Sequence, residues 1–400
     1  MTDLRPFERL IAPMSAEDFF VDVFGQTSMH LSDRPAGAFD DVLTVADIST
    51  FLASNPQPDL IHVFNEDARA PHEDWTRIDA CSDMTPLVDA NALMSLIDRG
   101  MSVRLSSVHR SIPSLKAFCH ALEQDLCMPL RANIYITPPG RKALPPHYDR
   151  YDVFVLQVHG KKRWALFDHR VPNATLETPK TLKAPSPVTE HAHMLLSPGC
   201  LAYVPRGLVH SAETIEGVSI HVTLGLLHPT LGNVLEAASA QCWQDPELRE
   251  AVPHGYSNDE DKAKSVQAII AAMTHFATPK VVDQALEDVQ AATRSKMIDL
   301  LQAPLDRYFR AGDLTMACEL MLSAGDQILC DDQDGINMSV HCRDHRFVAP
   351  VFARPAIDLI NEGARFSAQG LPGMLTPAYK LELVRKLYKV GVLGEVDASD

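Results

Sequence analysis

Short, nearly continuous apolar runs of strand length fill the middle of this 400-residue chain, whereas apolar residues recur every three to four residues, as on a helix face, in segments to either side. In the middle, residues 152–159 (DVFVLQVH) and 163–167 (RWALF) are β-branched and aromatic, and Gly160-Lys161 between them predicts a hairpin turn. Residues 201–204 predict another short strand, held between the turns Pro198-Gly199 and Pro205-Arg206-Gly207. Upstream, a first helix is expected to open at Ser15, with Asp18 three residues on and Phe19, Phe20 and Val23 as its apolar face. Residues 44–53 and 115–126 read as helices, the second started by Ser111-Ile112-Pro113-Ser114, and residues 61–64 and 102–105 as strands. Between residues 165 and 196 the prolines Pro172, Pro179, Pro185 and Pro187 predict loops, His191 and His193 among them.

Past His228-Pro229 the period becomes helical. Residues 231–243 form one predicted helix, Asn258 starts a charged turn leading into 263–276, and Pro279 opens a run to Leu301. Val266, Ile269, Ile270 and Met273 make one stripe, and Val282, Ala285, Leu286, Val289 and Ile298 a second. Such stripes serve equally as an intramolecular cap or as a face for a second copy of the chain. From about Asp313 the pattern changes again: residues 336–340 and 347–351 are expected to pair as strands, 355–362 to form a helix ended by Gly363, and Thr376-Pro377 to cap a helix stopping at Gly391.

Candidate chemistry concentrates in the strand-rich middle. In His147-Tyr148-Asp149 a single intervening residue puts an imidazole and a carboxylate on one side of an extended backbone. Far downstream, Gly199, five residues, Pro205-Arg206-Gly207, two residues and His210 follow the second signature of cupin barrels. Two histidines and one carboxylate leave open positions on a non-haem iron, which suits oxygen activation beside a chelating co-substrate; the alternative is two structural histidines and an unrelated Asp. Lys162 is either a pocket lysine needing a partner for its charge or, with Lys161 and Arg163, a solvated hairpin tip.

These stretches resemble the core of the JmjC-type 2-oxoglutarate oxygenases, and specifically the ribosomal oxygenase group, which hydroxylates side chains of ribosomal proteins. The resemblance rests on NIYITPPG (133–140), PPHYDRYDVFVLQVHGKKRW (145–164), YVPRGLVH (203–210) and SIHVTLGL (219–226). It implies an α+β protein: a double-stranded β-helix (cupin, jelly-roll) barrel with an N-terminal extension over residues 1–228, a helical dimerisation region over 229–312 and a winged-helix-like domain over 313–400. It implies Fe(II) held by His147, Asp149 and His210, with Lys162 gripping the far carboxylate of 2-oxoglutarate. Asn133, Tyr135, His221 and Thr223 match positions facing the co-substrate or substrate. Some bacterial relatives grip with arginine, so the lysine agrees with the eukaryotic-like branch. The implied reaction consumes O2 and 2-oxoglutarate, yields succinate and CO2, and hydroxylates an Arg or His of a ribosomal protein, with a homodimer as the working form.

Composition narrows the alternatives. A formal charge of −16 and 46% hydrophobic content argue for a globular chain and against general nucleic-acid binding. The C-terminal basic cluster Lys380, Arg385, Lys386 and Lys389 is interrupted by Glu382, so DNA is the lesser reading of a winged helix. No apolar run spans a bilayer, MTDLRPFERL reads as neither signal nor transit peptide, and the eight cysteines lack paired spacing, so a cytoplasmic protein with reduced thiols is expected. His341, Cys342 and His345 lack the spacing of a structural zinc site. Two further functions stand beside the protein hydroxylase: a biosynthetic hydroxylase of a peptide or free amino acid, and a non-catalytic iron and 2-oxoglutarate sensor or scaffold. Lysine demethylation is the less favoured form of the same chemistry.

Overall fold

Two 19-residue strands, Asp152–Arg170 and Leu208–Leu226, run antiparallel to each other along their whole lengths and carry the architecture. A computed structural model describes residues 4–79, 85–178, 188–251, 259–297, 304–323, 326–332, 335–342 and 345–396, in two compact units, Met1–Ile298 and Asp299–Asp400. In chain order the strands of the first unit are β1 (Met29–Leu31), β2 (Ile61–Phe64), β3 (Thr76–Asp79), β4 (Thr85–Val88), β5 (Ser102–Ser106), β6 (Leu130–Thr137), β7 (Asp152–Arg170), β8 (Glu190–Leu196), β9 (Leu201–Val204) and β10 (Leu208–Leu226). The main sheet has the order β1-β9-β7-β10-β6-β5-β2, with β8 added on β7.

The continuity of β7 corrects the expected hairpin. Gly160 does have positive φ (+67°), but the chain does not reverse there. It bulges: the ladder to β10 slips between Glu216 and Ile220, opposite Lys161 and His159, with Gly217 also at positive φ. Both long strands change partners on either side of this point. The first half of β7 pairs with β9 and the end of β10, whereas the second half pairs with β8 and the start of β10. This is the double-stranded β-helix arrangement. The bulge also inverts the alternation of side chains: Val153 and Val155 face the interior before it, Trp164 and Leu166 after it. Lys162 therefore points inward, 1% exposed, while Lys161 and Arg163 point out and pair with Glu216 and Glu190. The solvated-tip reading of Lys162 is thereby overturned.

A Cβ on Gly160 would lie 2.3 Å from the carbonyl oxygen of Val218. The obstacle is backbone, so Gly160→Ala is expected to lose about 2–4 kcal/mol of stability, read from the shift of a urea unfolding midpoint.

The region between residues 165 and 196 also differs from the expected loops. β7 continues to Arg170, and β8 forms an edge strand whose His191 and His193 sit on the exposed face. Alternation in EHAHMLL was masked by the surrounding prolines.

Helices cover the outer face of the main sheet. Ser15 caps α2, its hydroxyl accepting from Asp18 N, but the helix is short (Ala16–Asp18) and widens into a π-turn, Phe19–Val23, that buries Phe19 and Val23 and leaves Phe20 exposed. Phe19, with Phe7 from the preceding helix α1 (Pro6–Ile11), packs on Phe154 of β7 and Phe19 on Tyr203 of β9. Thr44 caps α3 (Val45–Ala53); α4 is Ala90–Asp98 and α5 is Pro113–Leu126, with Leu115, Phe118 and Leu122 buried.

After the barrel come α6 (Leu231–Gln241), α7 (Asp259–Phe276) and α8 (Pro279–Arg294). The last ends before the expected Leu301, its C-cap Ser295 N donating to Ala291 O and Thr293 O. Asn258 and Ile298 lie outside the described residues. In α7, Val266, Ile269, Ile270 and Met273 are 44–65% exposed, so this apolar stripe is not covered within the chain.

The second unit has its own core, with Leu320, Met338, Val340, Ile357 and Leu383 buried together. It contains α9 (Pro304–Asp313), β11 (Glu319–Leu322), β12 (Leu329–Asp332), β13 (Asn337–Cys342), β14 (His345–Pro350), α10 (Arg354–Asn361), β15 (Phe366–Ser367), α11 (Pro377–Lys389) and β16 (Leu393–Glu395). β15-β11-β16 form one sheet and β12-β13-β14 another. The basic residues of α11 are engaged internally: Arg385 donates to Gly312 O and Leu314 O, Lys386 pairs with Glu382, and Lys389 sits over Tyr308.

Candidate metal centre

His147 and His210 arrive on different segments and are locked together by the backbone. His147 N donates to His210 O at 3.0 Å and His210 N to His147 O at 2.8 Å, an isolated bridge where the start of β10 passes residues 141–149. Asp149, two residues on, shares the side of His147, and its carbonyl accepts from Gly207 N at 2.9 Å. Gly207 has φ +79°, and a Cβ there would lie 1.9 Å from Val171 O, so the turn before β10 has one backbone course.

The donor atoms of His147, Asp149 and His210 all lie within 4.8 Å of one another, and among the described residues no other group of His, Cys, Asp or Glu gathers this way. Cys342 and His345 lie opposite each other on β13 and β14, but the donors of His341, Cys342 and His345 form no such group; Cys342 is buried and His341 Nε2 faces Asp331 at 3.3 Å. The ring orientations in the triad suit a metal. His147 Nδ1 lies 2.9 Å from Pro145 O and His210 Nδ1 3.0 Å from Leu208 O, and each carbonyl requires a proton on Nδ1. That assignment leaves Nε2 of both rings with a free lone pair. Burial, and then His147, lower the His210 pKa to about 4 against the pull of Asp149, so that ring is neutral at pH 7, as a ligand must be.

Around the triad opens a small cavity, lined by Tyr135, Ala143, Leu144, Lys162, Trp164, Ala212, His221 and Thr223 besides the triad itself. The strand period explains the list: 210 and 212, 221 and 223, and 162 and 164 each lie two apart on one face. Lys162 Nζ donates to Thr137 Oγ1 at 3.0 Å and makes no ion pair among the described residues; burial alone drives its pKa down to about 7. Tyr135 and His221 stack with parallel rings 5.0 Å apart. His221 Nδ1 and Trp164 Nε1 are buried without hydrogen-bond partners. Asn133 does not line the cavity: its Oδ1 accepts from Ser107 N at 3.1 Å, and its carbonyl accepts from Thr223 Oγ1 at 3.4 Å. Three residues were not anticipated from the sequence: Trp164, Thr137 and Arg104, the last in register with Tyr135 across β5 and β6 and donating to its hydroxyl.

Known proteins contain a region similar to this one. Residues 104–234 match the model of the JmjC domain. This part of the chain is a JmjC domain. All the predicted site residues fall within it, from Asn133 to Thr223. The chain is 30% identical over 269 residues to the bifunctional lysine-specific demethylase and histidyl-hydroxylase NO66 of Dictyostelium discoideum, covering 62% of this chain and 49% of that protein. It is 27% identical over 310 residues to human ribosomal oxygenase 1, covering 71% of this chain and 47% of that one. The chain thus spans about half the length of these relatives. The crystal structure of Escherichia coli ribosomal oxygenase YcfD shares its fold, with a TM-score of 0.52 at 15% identity over 96% of this chain and 98% of that one. A second YcfD structure, in complex with cobalt and 2-oxoglutarate, aligns with a TM-score of 0.51, also at 15% identity.

The residues of this JmjC domain fit both groups. Two imidazole donors and a carboxylate suit a divalent iron or its cobalt stand-in. The buried, unpaired ammonium of Lys162 in the same cavity is costly on its own and complements a dicarboxylate.

Proposed function

We propose that this protein is an Fe(II)- and 2-oxoglutarate-dependent oxygenase that hydroxylates a side chain of a ribosomal protein, Arg or His. The observation that carries the reading is the pairing in one cavity of a two-histidine, one-carboxylate donor set with a buried lysine that has no acid to neutralise it. His147, Asp149 and His210 would hold the iron, and Lys162 the far carboxylate of 2-oxoglutarate. When bound, these two groups supply oxygen activation: O2, 2-oxoglutarate and a C–H bond become CO2, succinate and C–OH.

The chain's own residues supply orientation and a dry pocket. Thr137 Oγ1 steadies the ammonium of Lys162 at one end. Trp164, stacked at 5.5 Å on the His210 ring, keeps bulk water from that ligand. Tyr135 lines the same cavity, its hydroxyl accepting from Arg104, and offers a polar contact to a target side chain. Apart from Asp149 the cavity lining contains no carboxylate, and it contains the cation-forming Lys162, which favours a neutral imidazole target over a guanidinium.

Incubating the protein with Fe(II), 2-oxoglutarate and purified ribosomal proteins, against free amino acids and short peptides, tests the substrate. A gain of about 16 Da on a ribosomal-protein histidine supports the reading. Gain only on peptides or amino acids supports a biosynthetic hydroxylase instead, and release of formaldehyde with loss of methyl groups a demethylase.

The exposed stripe on α7 supports a homodimer built through the helices that follow the barrel (1–228); the boundary expected at 312/313 moves to 298/299, because α9 belongs to the C-terminal unit. Wild-type protein is then expected to sediment as a dimer and Ile270→Glu as a monomer; a wild-type monomer at micromolar concentration contradicts this. Helices and small sheets support a winged-helix reading of the C-terminal domain, with a structural or substrate-guiding role because its basic residues are engaged internally. Seven described cysteines without disulfides support a cytoplasmic setting, and no helix among the described residues is long and apolar enough to cross a membrane.

A further inference from the structure

Between residues 147–152 and residues 206–210, three rungs join the segment carrying His147 and Asp149 to the one carrying His210. Two are backbone: His147 with His210, and Gly207 N with Asp149 O. The third uses a side chain, Arg206 N donating to Asp152 Oδ1 at 3.2 Å. Asp152 is fully buried at the first residue of β7 and is neither a triad member nor part of the cavity lining.

Three segments converge on this carboxylate, and a fourth reaches it through Tyr203. Tyr203 of β9 donates its hydroxyl to Oδ1 at 2.5 Å, and that hydroxyl accepts from Gly25 N at 2.7 Å. Oδ2 has no hydrogen bond; Arg206 Nε lies 3.9 Å and His228 Nδ1 3.7 Å from it, and His228 Nδ1 is itself unpartnered. A charge buried among such partners is an expensive way to close a barrel, because an apolar group of the same volume commonly does as well. Its position gives it something else to do. The turn it holds is followed after three residues by His210, and the turn cannot absorb a displacement, since Gly207 is wedged against Val171 O. A shift of Arg206 is therefore passed along β10 to a ligand whose geometry tolerates about 0.5 Å.

We infer that Asp152 is a positioning residue of the metal centre, its buried carboxylate pinning the Pro205-Arg206-Gly207 turn so that His210 meets His147 and Asp149. This rests on the metal reading above. The step from a sound fold to a sound metal site is where Asp152 acts.

The test is Co(II) titration of the full chain, read as affinity and as the visible d–d absorption of the bound ion, for wild type, Asp152→Asn and Tyr203→Phe. Asp152→Asn keeps the shape and the Oδ1 acceptor but removes the charge and turns an amide towards Arg206 and His228. The expected result is a Co(II) dissociation constant raised about tenfold with a shifted d–d spectrum, and a rise of a few-fold for Tyr203→Phe, which loses one donor. Wild-type affinity and spectrum in folded Asp152→Asn overturn the inference, even if its melting temperature falls. Should Asp152→Asn not fold, Tyr203→Phe decides by the same two readouts. Wild-type protein that takes up no Co(II) overturns the metal reading itself, a result distinct from a variant that binds as well as wild type.

Discussion

Asp149→Ala is expected to lower 2-oxoglutarate turnover at least about a thousandfold while leaving the protein folded. The carboxylate is the one anionic donor of the set, with Oδ2 3.7 Å from His210 Nε2, and its removal leaves two neutral rings with centroids 4.6 Å apart. Two imidazoles alone bind a divalent ion weakly and leave its charge uncompensated. Asp149 is 30% exposed and makes few stabilising contacts, so the unfolding midpoint should move little. Succinate production measured alongside a urea melt separates the two effects. Retained turnover in a folded Asp149→Ala protein removes the triad from the mechanism.

Lys162→Met should act in two directions at once. Methionine keeps the lysine's unbranched stem, one atom shorter, and removes a buried cation that only Thr137 steadies, so the ligand-free variant is expected to be more stable than wild type at pH 7. The same change removes the charge-assisted contact to the co-substrate and should weaken 2-oxoglutarate binding by about 30- to 100-fold.

The pH dependence follows from the lysine's lowered pKa, about 7 in the folded chain against 10.5 unfolded. Between those values the unfolded chain binds the extra proton, so ligand-free wild type should gain stability as pH rises from about 7 towards 10.5; below 7 the burial cost is present in full. Binding of 2-oxoglutarate needs the charged form, so affinity should fall as pH rises above about 7. Urea midpoints and calorimetric 2-oxoglutarate titrations at pH 7 and pH 9 check both slopes. Wild-type slopes in Lys162→Met would show that another group titrates.

The ligand triad was legible in the sequence because it depends on local grammar: the single-residue spacing of His147 and Asp149, and the Pro205-Arg206-Gly207 turn that delivers His210. The place of Lys162 was not. A strict two-residue alternation from Val153 and Val155 puts residues 161 and 163 inside, and only the bulge at Gly160 moves the lysine to the interior. A glycine followed by lysines reads equally as a turn, and the partner that decides, β10 with its own slip near Gly217, lies some sixty residues away in the chain. Arg104 was missed for a related reason. Its strand was expected, but which of its side chains meets Tyr135 depends on the β5–β6 register, which no local pattern encodes. Helix α1 escaped because six residues, though burying Phe7, Leu10 and Ile11, are too few to display a period.

The central claim is that one cavity binds iron and 2-oxoglutarate and uses them on O2. Anaerobic titration with Fe(II) and then 2-oxoglutarate, followed by air exposure with and without ribosomal-protein extract, tests it most directly. The account predicts one iron per chain, 2-oxoglutarate binding that requires the iron, and succinate formation stimulated by the extract. Binding of neither ligand, or 2-oxoglutarate bound equally well by Lys162→Met, would contradict it; tight binding of both with no succinate under any condition would make the protein a sensor and not an oxygenase.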